Sequence, residues 1–245
     1  MPGKTTTAHP KVNAKSLGLP ENSKIILSTH PVLAHKLTKL RDAKTDANTF
    51  RHLLREITFY LGYEATSDLS TMPKKITTPM GPHQGSELST TVALVPILRA
   101  GLGMVEPMLD LLPNARVHHI GMYRNSNSLL PVQYYNKLPK ECHIDCAIIL
   151  EPVINTAGTI IATVAILKVW GASHIKIIST IASKDGLRDL YSKHPDVEVI
   201  VAAVDETLSE AGVIIPGLGD AGDRQFDTDV HHLKEGAGHK RKHEE

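Results

Sequence analysis

The segment richest in chemistry is Ile148-Ile149-Leu150-Glu151-Pro152-Val153-Ile154-Asn155-Thr156-Ala157-Gly158-Thr159. An apolar run leads into an acid, then a loop of small and hydroxyl residues, then a second apolar run. Such a sequence can build a phosphate cradle. Backbone N–H groups of Asn155 to Thr159 can converge on an anion at a helix N-terminus, where the dipole also favours negative charge. The Thr156 and Thr159 hydroxyls add donors, and Ala157 with Gly158 lets the backbone come close to a ligand. The same letters also allow an ordinary strand-to-helix turn with Thr159 as its cap. They make neither a Walker loop, since no Gly-Lys-Ser/Thr follows, nor a three-glycine dinucleotide fingerprint.

Two arginines extend the pattern. Arg99 closes the apolar run Val92-Ala93-Leu94-Val95-Pro96-Ile97 and opens the turn Ala100-Gly101-Leu102-Gly103. Arg124 ends the run Gly121-Met122-Tyr123. Guanidinium matches the oxygens of a phosphate or diphosphate in a fixed fork. A third candidate is Ile214-Ile215-Pro216-Gly217-Leu218-Gly219-Asp220-Ala221-Gly222-Asp223-Arg224, dense in glycine and too polar for a core. Its exposed main-chain groups can read the edge of a planar base; a plain surface loop is the alternative. Cys142, His143 and Cys146 look like half a metal site, but a structural zinc takes four ligands and no second pair stands nearby. No protein-held metal is expected.

The elements that must position these groups follow from periodicity. Ala47, Phe50, Leu53, Leu54, Ile57, Leu61 and Ala65 recur at helical spacing behind Asp46, a natural N-cap. Residues 92–97, 117–122, 144–150, 175–181 and 197–204 read as strands. Residues 104–112, 159–170 and 184–194 read as helices, the second closed by Gly171. This alternation predicts an α/β fold, a parallel twisted sheet flanked by helices. Ligands in such sheets bind beyond the carboxyl ends of the strands, so the loops at 98–103, 151–159, 182–185 and after 205 are where a site belongs.

Composition sets limits. The chain has 245 residues, 41% of them hydrophobic, and a formal charge of +1. Balanced charge argues against coating nucleic acid or an anionic membrane. Two cysteines make no disulfide framework, and no apolar run reaches the roughly 18 residues of a span. Cytoplasm is the expected location. Residues 1–20 and 229–245 read as tails, leaving 21–228 as the folded domain; the second tail mixes histidine, glycine and charge with little to bury.

At these motifs the chain resembles the uracil phosphoribosyltransferases. Val95 to Met104 matches the family's Val-Pro-Ile-Leu-Arg-Ala-Gly-Leu-Gly-Met, and Pro216 to Arg224 its Pro-Gly-Leu-Gly-Asp-Ala-Gly-Asp-Arg. His30-Pro31, His35-Lys36-Leu37-Thr38, Leu40-Arg41-Asp42 and Tyr63-Glu64-Ala65-Thr66 match its N-terminal region. Pro131-Val132, Tyr134-Tyr135 and Lys137-Leu138-Pro139 resemble its β-arm. The resemblance runs collinearly over about residues 25 to 228. It implies the type I phosphoribosyltransferase fold with a hood and a β-arm, and transfer of the phosphoribosyl group of 5-phosphoribosyl pyrophosphate (PRPP) to uracil. On that reading Arg99 and Asp220 serve catalysis, and Arg99 and Arg124 hold the pyrophosphate. Glu151, Pro152, Val153, Ile154, Asn155, Thr156, Ala157, Gly158 and Thr159 wrap the ribose and its phosphate, with Asp220 also facing PRPP. Ile214, Gly219, Asp220 and Ala221 bind uracil, largely through main chain. The resemblance further implies Mg²⁺ carried in with PRPP, GTP as an effector in some members, and a homodimer or larger assembly.

The match departs from the family in places. Glu151 and Val153 stand in a cradle that usually begins Asp-Pro-Met, and Asn155 replaces a small residue. Leu130 and Gln133 stand where glutamates are common, and Val213 where a tyrosine is usual. These changes leave room for a PRPP-binding regulator with reduced turnover, or a partner subunit of the same fold.

Overall fold

The computed structural model describes residues 14–124 and 131–228; Leu130 and the 229–245 segment lie outside them. In chain order the elements are β1 (Lys24–Leu27), α1 (Pro31–Arg41), α2 (Ala47–Ala65), β2 (Thr71–Thr78), β3 (Gly81–Leu88), β4 (Val92–Leu98) and α3 (Val105–Leu111). Then come β5 (Arg116–Val117), β6 (Ile120–Arg124), β7 (Pro131–Asn136), β8 (Cys146–Leu150), β9 (Val153–Ile154), α4 (Gly158–Trp170) and β10 (His174–Ser183). The chain continues with α5 (Lys184–Lys193), β11 (Glu198–Asp205), β12 (Thr207–Leu208), β13 (Ile214–Ile215) and α6 (Ala221–Phe226).

The main sheet has the order β1-β11-β10-β8-β4-β6-β7, with β5 beside β4 and β9 beside β10. Every pair is parallel except β6–β7 at the edge. Successive strand residues face opposite sides, and the apolar runs exploit this. Val95, Ile149, Ile177 and Val199 face one core with Ile160, Val164 and Leu167 of α4 and Leu187 and Leu190 of α5. Their neighbours Leu94, Ile148, Ile178 and Ile200 face a second core with Leu54, Ile57 and Leu61 of α2 and Met108 of α3. Each fully buried aliphatic side chain contributes about 1.5–3 kcal/mol, so both layers hold the sheet strongly.

Local signals work as expected at several helix ends. Asp46 caps α2, its Oδ1 accepting the Thr49 N–H at 2.9 Å. Gly171 ends α4 in the left-handed region at φ 109°. Pro107 sits in the first turn of α3, where no intrahelical N–H is needed. The strand expected over 117–122 breaks at His118-His119 into β5 and β6.

Two features differ from the sequence reading. The arm expected at 131–139 is an ordinary edge strand, β7, paired with β6 over 131–136. The free-standing hairpin is instead β2–β3, which pairs with nothing else in the described residues and is exposed along nearly its whole length. In addition, Ala14 and Leu19, which fall in the expected N-terminal tail, are buried against the α4–α5 core.

Candidate active site

Three strand ends converge. β4 lies between β8 and β6, so Arg99, Glu151 and Arg124 follow or end adjacent strands at their carboxyl ends. Arg124 is the last residue of β6, opposite Pro131. Gly101, just after Arg99, packs so closely that a Cβ there would lie 2.3 Å from the Leu150 carbonyl oxygen. A side chain cannot be accommodated at that spot, so the Arg99 turn and the end of β8 are held in contact.

The loop between β8 and α4 encloses a small cavity. Glu151 and residues 153–160 line a cavity of about 220 Å³. Ala157, at φ 59°, turns the chain into α4 without any side-chain cap. Thr159 lies inside the first turn rather than capping it, so the plain capped-turn reading does not describe this structure. The first residues of α4 line this cavity, and among the described residues no side chain caps them. The loop is anchored from below. The Pro152 carbonyl accepts from Thr180 and Ile181 N–H at 3.0 and 3.1 Å. The Asn155 carbonyl accepts from the Ser183 hydroxyl, which itself accepts the Gly186 N–H at 2.8 Å.

Glu151 is half-buried, and burial pushes its carboxyl up to about 8. The Val153 N–H opposes that shift, while the nearby Asp220 carboxylate adds to it. Two coupled acids beside an anion cradle suit hydroxyl groups or a divalent cation arriving with a diphosphate. Arg99 is half-exposed and donates to Asp223 Oδ1 at 2.8 Å and Thr228 Oγ1 at 3.2 Å. The Thr228 hydroxyl and the Arg99 guanidinium hold the Asp223 carboxyl below its ordinary range. Asp220 caps α6, its Oδ1 accepting the Asp223 N–H at 2.8 Å.

The glycine-rich loop is pinned by charge. Arg41 forms two 2.7 Å bonds to Asp205 and a third to the Gly217 carbonyl. Arg224 donates to the carbonyls of Leu40, Leu218 and Asp42, and lies over the Phe50 ring at 4.6 Å. Gly219 takes φ 79°, and Ala221 is buried at the start of α6. A cavity of about 680 Å³ opens beside this loop, lined in part by Arg41, Lys44, Gly219 and Asp220. Sequence reasoning quoted Arg41, Asp223 and Arg224 but gave them no role, and it missed Asp205. An arginine in a glycine-rich segment was the available signal; its partner, more than a hundred residues away, was not. A separate cavity of about 620 Å³ at the amino ends of the strands is lined by Asp68, Lys176 and Glu198. There the Lys176 ammonium is tied to the Ala65 carbonyl and both acids.

The family profile described as uracil phosphoribosyltransferase matches residues 27–228. The chain belongs to the uracil phosphoribosyltransferase family. Uracil phosphoribosyltransferase of Roseiflexus sp. (strain RS-1) is 49% identical over 206 residues, covering 84% of this chain and 99% of the relative. That of Roseiflexus castenholzii is 50% identical over 204 residues, with 83% and 98% covered. Among solved structures, the AQ2163 protein from Aquifex aeolicus superposes with a TM-score of 0.80 at 36% identity, covering 84% of this chain and 99% of that one. Adenine phosphoribosyl transferase from Trypanosoma brucei, at 11% identity and a TM-score of 0.50, shares the fold over 81% of this chain and 88% of its own. The mostly parallel sheet with helices on both faces is thus the type I phosphoribosyltransferase fold. As a member of the uracil phosphoribosyltransferase family, the chain carries its departures, Glu151, Asn155 and Val213, inside an otherwise collinear frame. Among the described residues no helix is long and apolar enough to cross a membrane.

Proposed function

We propose that the protein transfers the phosphoribosyl group of PRPP to uracil, forming UMP and releasing pyrophosphate. The observation that carries this reading is the uncapped cradle of residues 151–159 beside the Arg99 turn, in a chain collinear with the family over 27–228. The bond from C1 of the ribose to the pyrophosphate oxygen breaks, and a uracil ring nitrogen bonds to C1 from the opposite face, its proton passing to solvent. Glycosyl transfer of this type passes through an oxocarbenium-like state.

Each group has a task in that reaction. The α4 amides and the Thr156 and Thr159 hydroxyls hold the 5′-phosphate. Glu151 faces the ribose hydroxyls. Arg99 and Arg124 stabilise negative charge as it gathers on the leaving pyrophosphate. Ile214, Gly219 and Ala221 present main-chain groups to the base, and Asp220 lies between base and PRPP. Positioning and fixed charge supply the catalysis, so no strong general base is required. Mg²⁺ carried with PRPP would neutralise diphosphate charge, and Glu151 and Asp220, two acids close enough to interact, would be the residues to face it.

Self-association and an effector role for GTP belong to the same reading. The β2–β3 hairpin supports the first, since Met72, Ile76 and Met80 are exposed on it. The deciding assay measures UMP from uracil, PRPP and Mg²⁺, with orotate and hypoxanthine as controls. Uracil should be the preferred substrate by a wide margin. Equal turnover of all three, or none with uracil, overturns the assignment.

A further inference from the structure

Asn155 stands in the anion loop, yet its side chain serves the other half of the site. Its backbone carbonyl is fixed by the Ser183 hydroxyl, at a junction so tight that a Cβ on Gly186 would lie 2.1 Å from that oxygen. Its side-chain Oδ1 accepts the N–H of Ile214 at 3.2 Å, across 59 residues of sequence. Ile214 begins β13, a two-residue strand paired with the equally short β12. Apart from that ladder, the preceding chain is held by Ser209, whose hydroxyl accepts from Val213 N–H and whose N–H donates to the Val213 carbonyl. Val213 is itself 45% exposed, while the neighbouring Ile214 side chain is buried in the core, so the strand is held from one side and its main chain edge depends on these polar ties.

We propose that Asn155 is a positioning residue that fixes the base-recognition strand to the sugar-phosphate loop, setting uracil affinity through the Ile214 main chain. This rests on the functional reading above, with Ile214 at the base. The two loops approach from different strands, β8–β9 and β12–β13. In the described structure Asn155 supplies a direct side-chain bond between them. Ordering of the cradle around PRPP is then transmitted to β13, and uracil meets a strand already in register. A neutral hydrogen bond of this kind contributes about 1 kcal/mol net, enough to alter affinity severalfold without deciding whether the protein folds.

The test is N155A and N155D beside the unaltered protein. N155A should raise the KM for uracil about 3- to 10-fold, the range a neutral bond allows, while the KM for PRPP stays within about twofold. N155D keeps the acceptor for Ile214, so its uracil KM should return to within about twofold, while its charge beside the anion site raises the KM for PRPP. The Ile214 amide, followed by hydrogen exchange in ligand-free protein, should lose protection in N155A and keep it in N155D. An unchanged uracil KM in N155A, equal rises for both substrates, or unchanged protection of the Ile214 amide would each overturn the proposal. Absence of UMP formation by the unaltered protein would instead remove the functional reading, leaving the exchange result to judge the tether alone.

Discussion

Replacing Arg99 by alanine separates the catalytic reading from a structural one, because the two predict opposite sizes of effect. Among the described residues Arg99 makes one ion pair, to Asp223 at 2.8 Å, and one hydrogen bond, to Thr228 at 3.2 Å. The arginine side chain is 53% exposed and that of Asp223 32%, so water screens the pair and its loss costs about 1 kcal/mol or less. Asp223 keeps the Thr228 hydroxyl, and its backbone N–H remains on Asp220. For a domain of this size, the melting temperature should fall by only about 2–4 °C. The reaction asks more of the same side chain. A fixed donor aimed at charge developing in a transition state is worth about 3 kcal/mol, or a little over a hundredfold in rate. UMP formation at saturating PRPP and uracil should therefore drop at least a hundredfold in R99A, with circular dichroism melts barely moved. Turnover within about threefold of the unaltered protein would remove Arg99 from the mechanism, and a collapse of the melt would show that it was structural.

Other outcomes follow from the same geometry. In G186A the first turn of α5 gains at most about 0.5–1 kcal/mol of propensity, but the added Cβ meets the Asn155 carbonyl at 2.1 Å and the strain of about 1–3 kcal/mol wins. PRPP affinity by calorimetry should weaken, and a variant binding normally would show that the loop is not seated on α5. Glu151, raised to about 8 from its ordinary 4.5, holds its proton more tightly folded than unfolded. Ligand-free stability should thus fall as pH rises from about 4.5 to 8 and level off above. E151Q should lack that component, so its stability relative to the unaltered protein should rise between pH 5 and pH 8, as denaturant titrations at the two pH values would read; an equal pH slope in both proteins would exclude Glu151 as the source. Charging the hairpin with I76D or M80D should shift the protein towards monomer in light scattering without altering its melt as a monomer; an unchanged mass would exclude the hairpin from assembly.

The sheet and the cradle were legible because they repeat or concentrate a local signal. Four buried strands read as apolar runs, and the turn from Glu151 to Thr159 carries its small residues in one stretch. The β2–β3 hairpin gave no such signal. Its strands contain Pro73 and Pro82, it faces water on both sides, and nothing selects an alternation of apolar and polar residues. Ala14 and Leu19 escaped notice because a single buried side chain in a polar stretch has no period. The site's polar ties were also hidden. Arg41 finds Asp205, Arg99 finds Asp223 and Asn155 finds Ile214 only after the sheet has brought distant segments together. A capping or phosphate motif is local; an ion pair across 164 residues is a property of topology.

The contact between Gly101 and the Leu150 carbonyl has a consequence for how this enzyme family can diversify. The spacing between the Arg99 turn and the end of β8 is dictated by main chain pressed on main chain, so it is insensitive to the identity of surrounding side chains. Substitutions at neighbouring positions such as 153 and 213 can therefore accumulate while the distance between those two strand ends stays fixed.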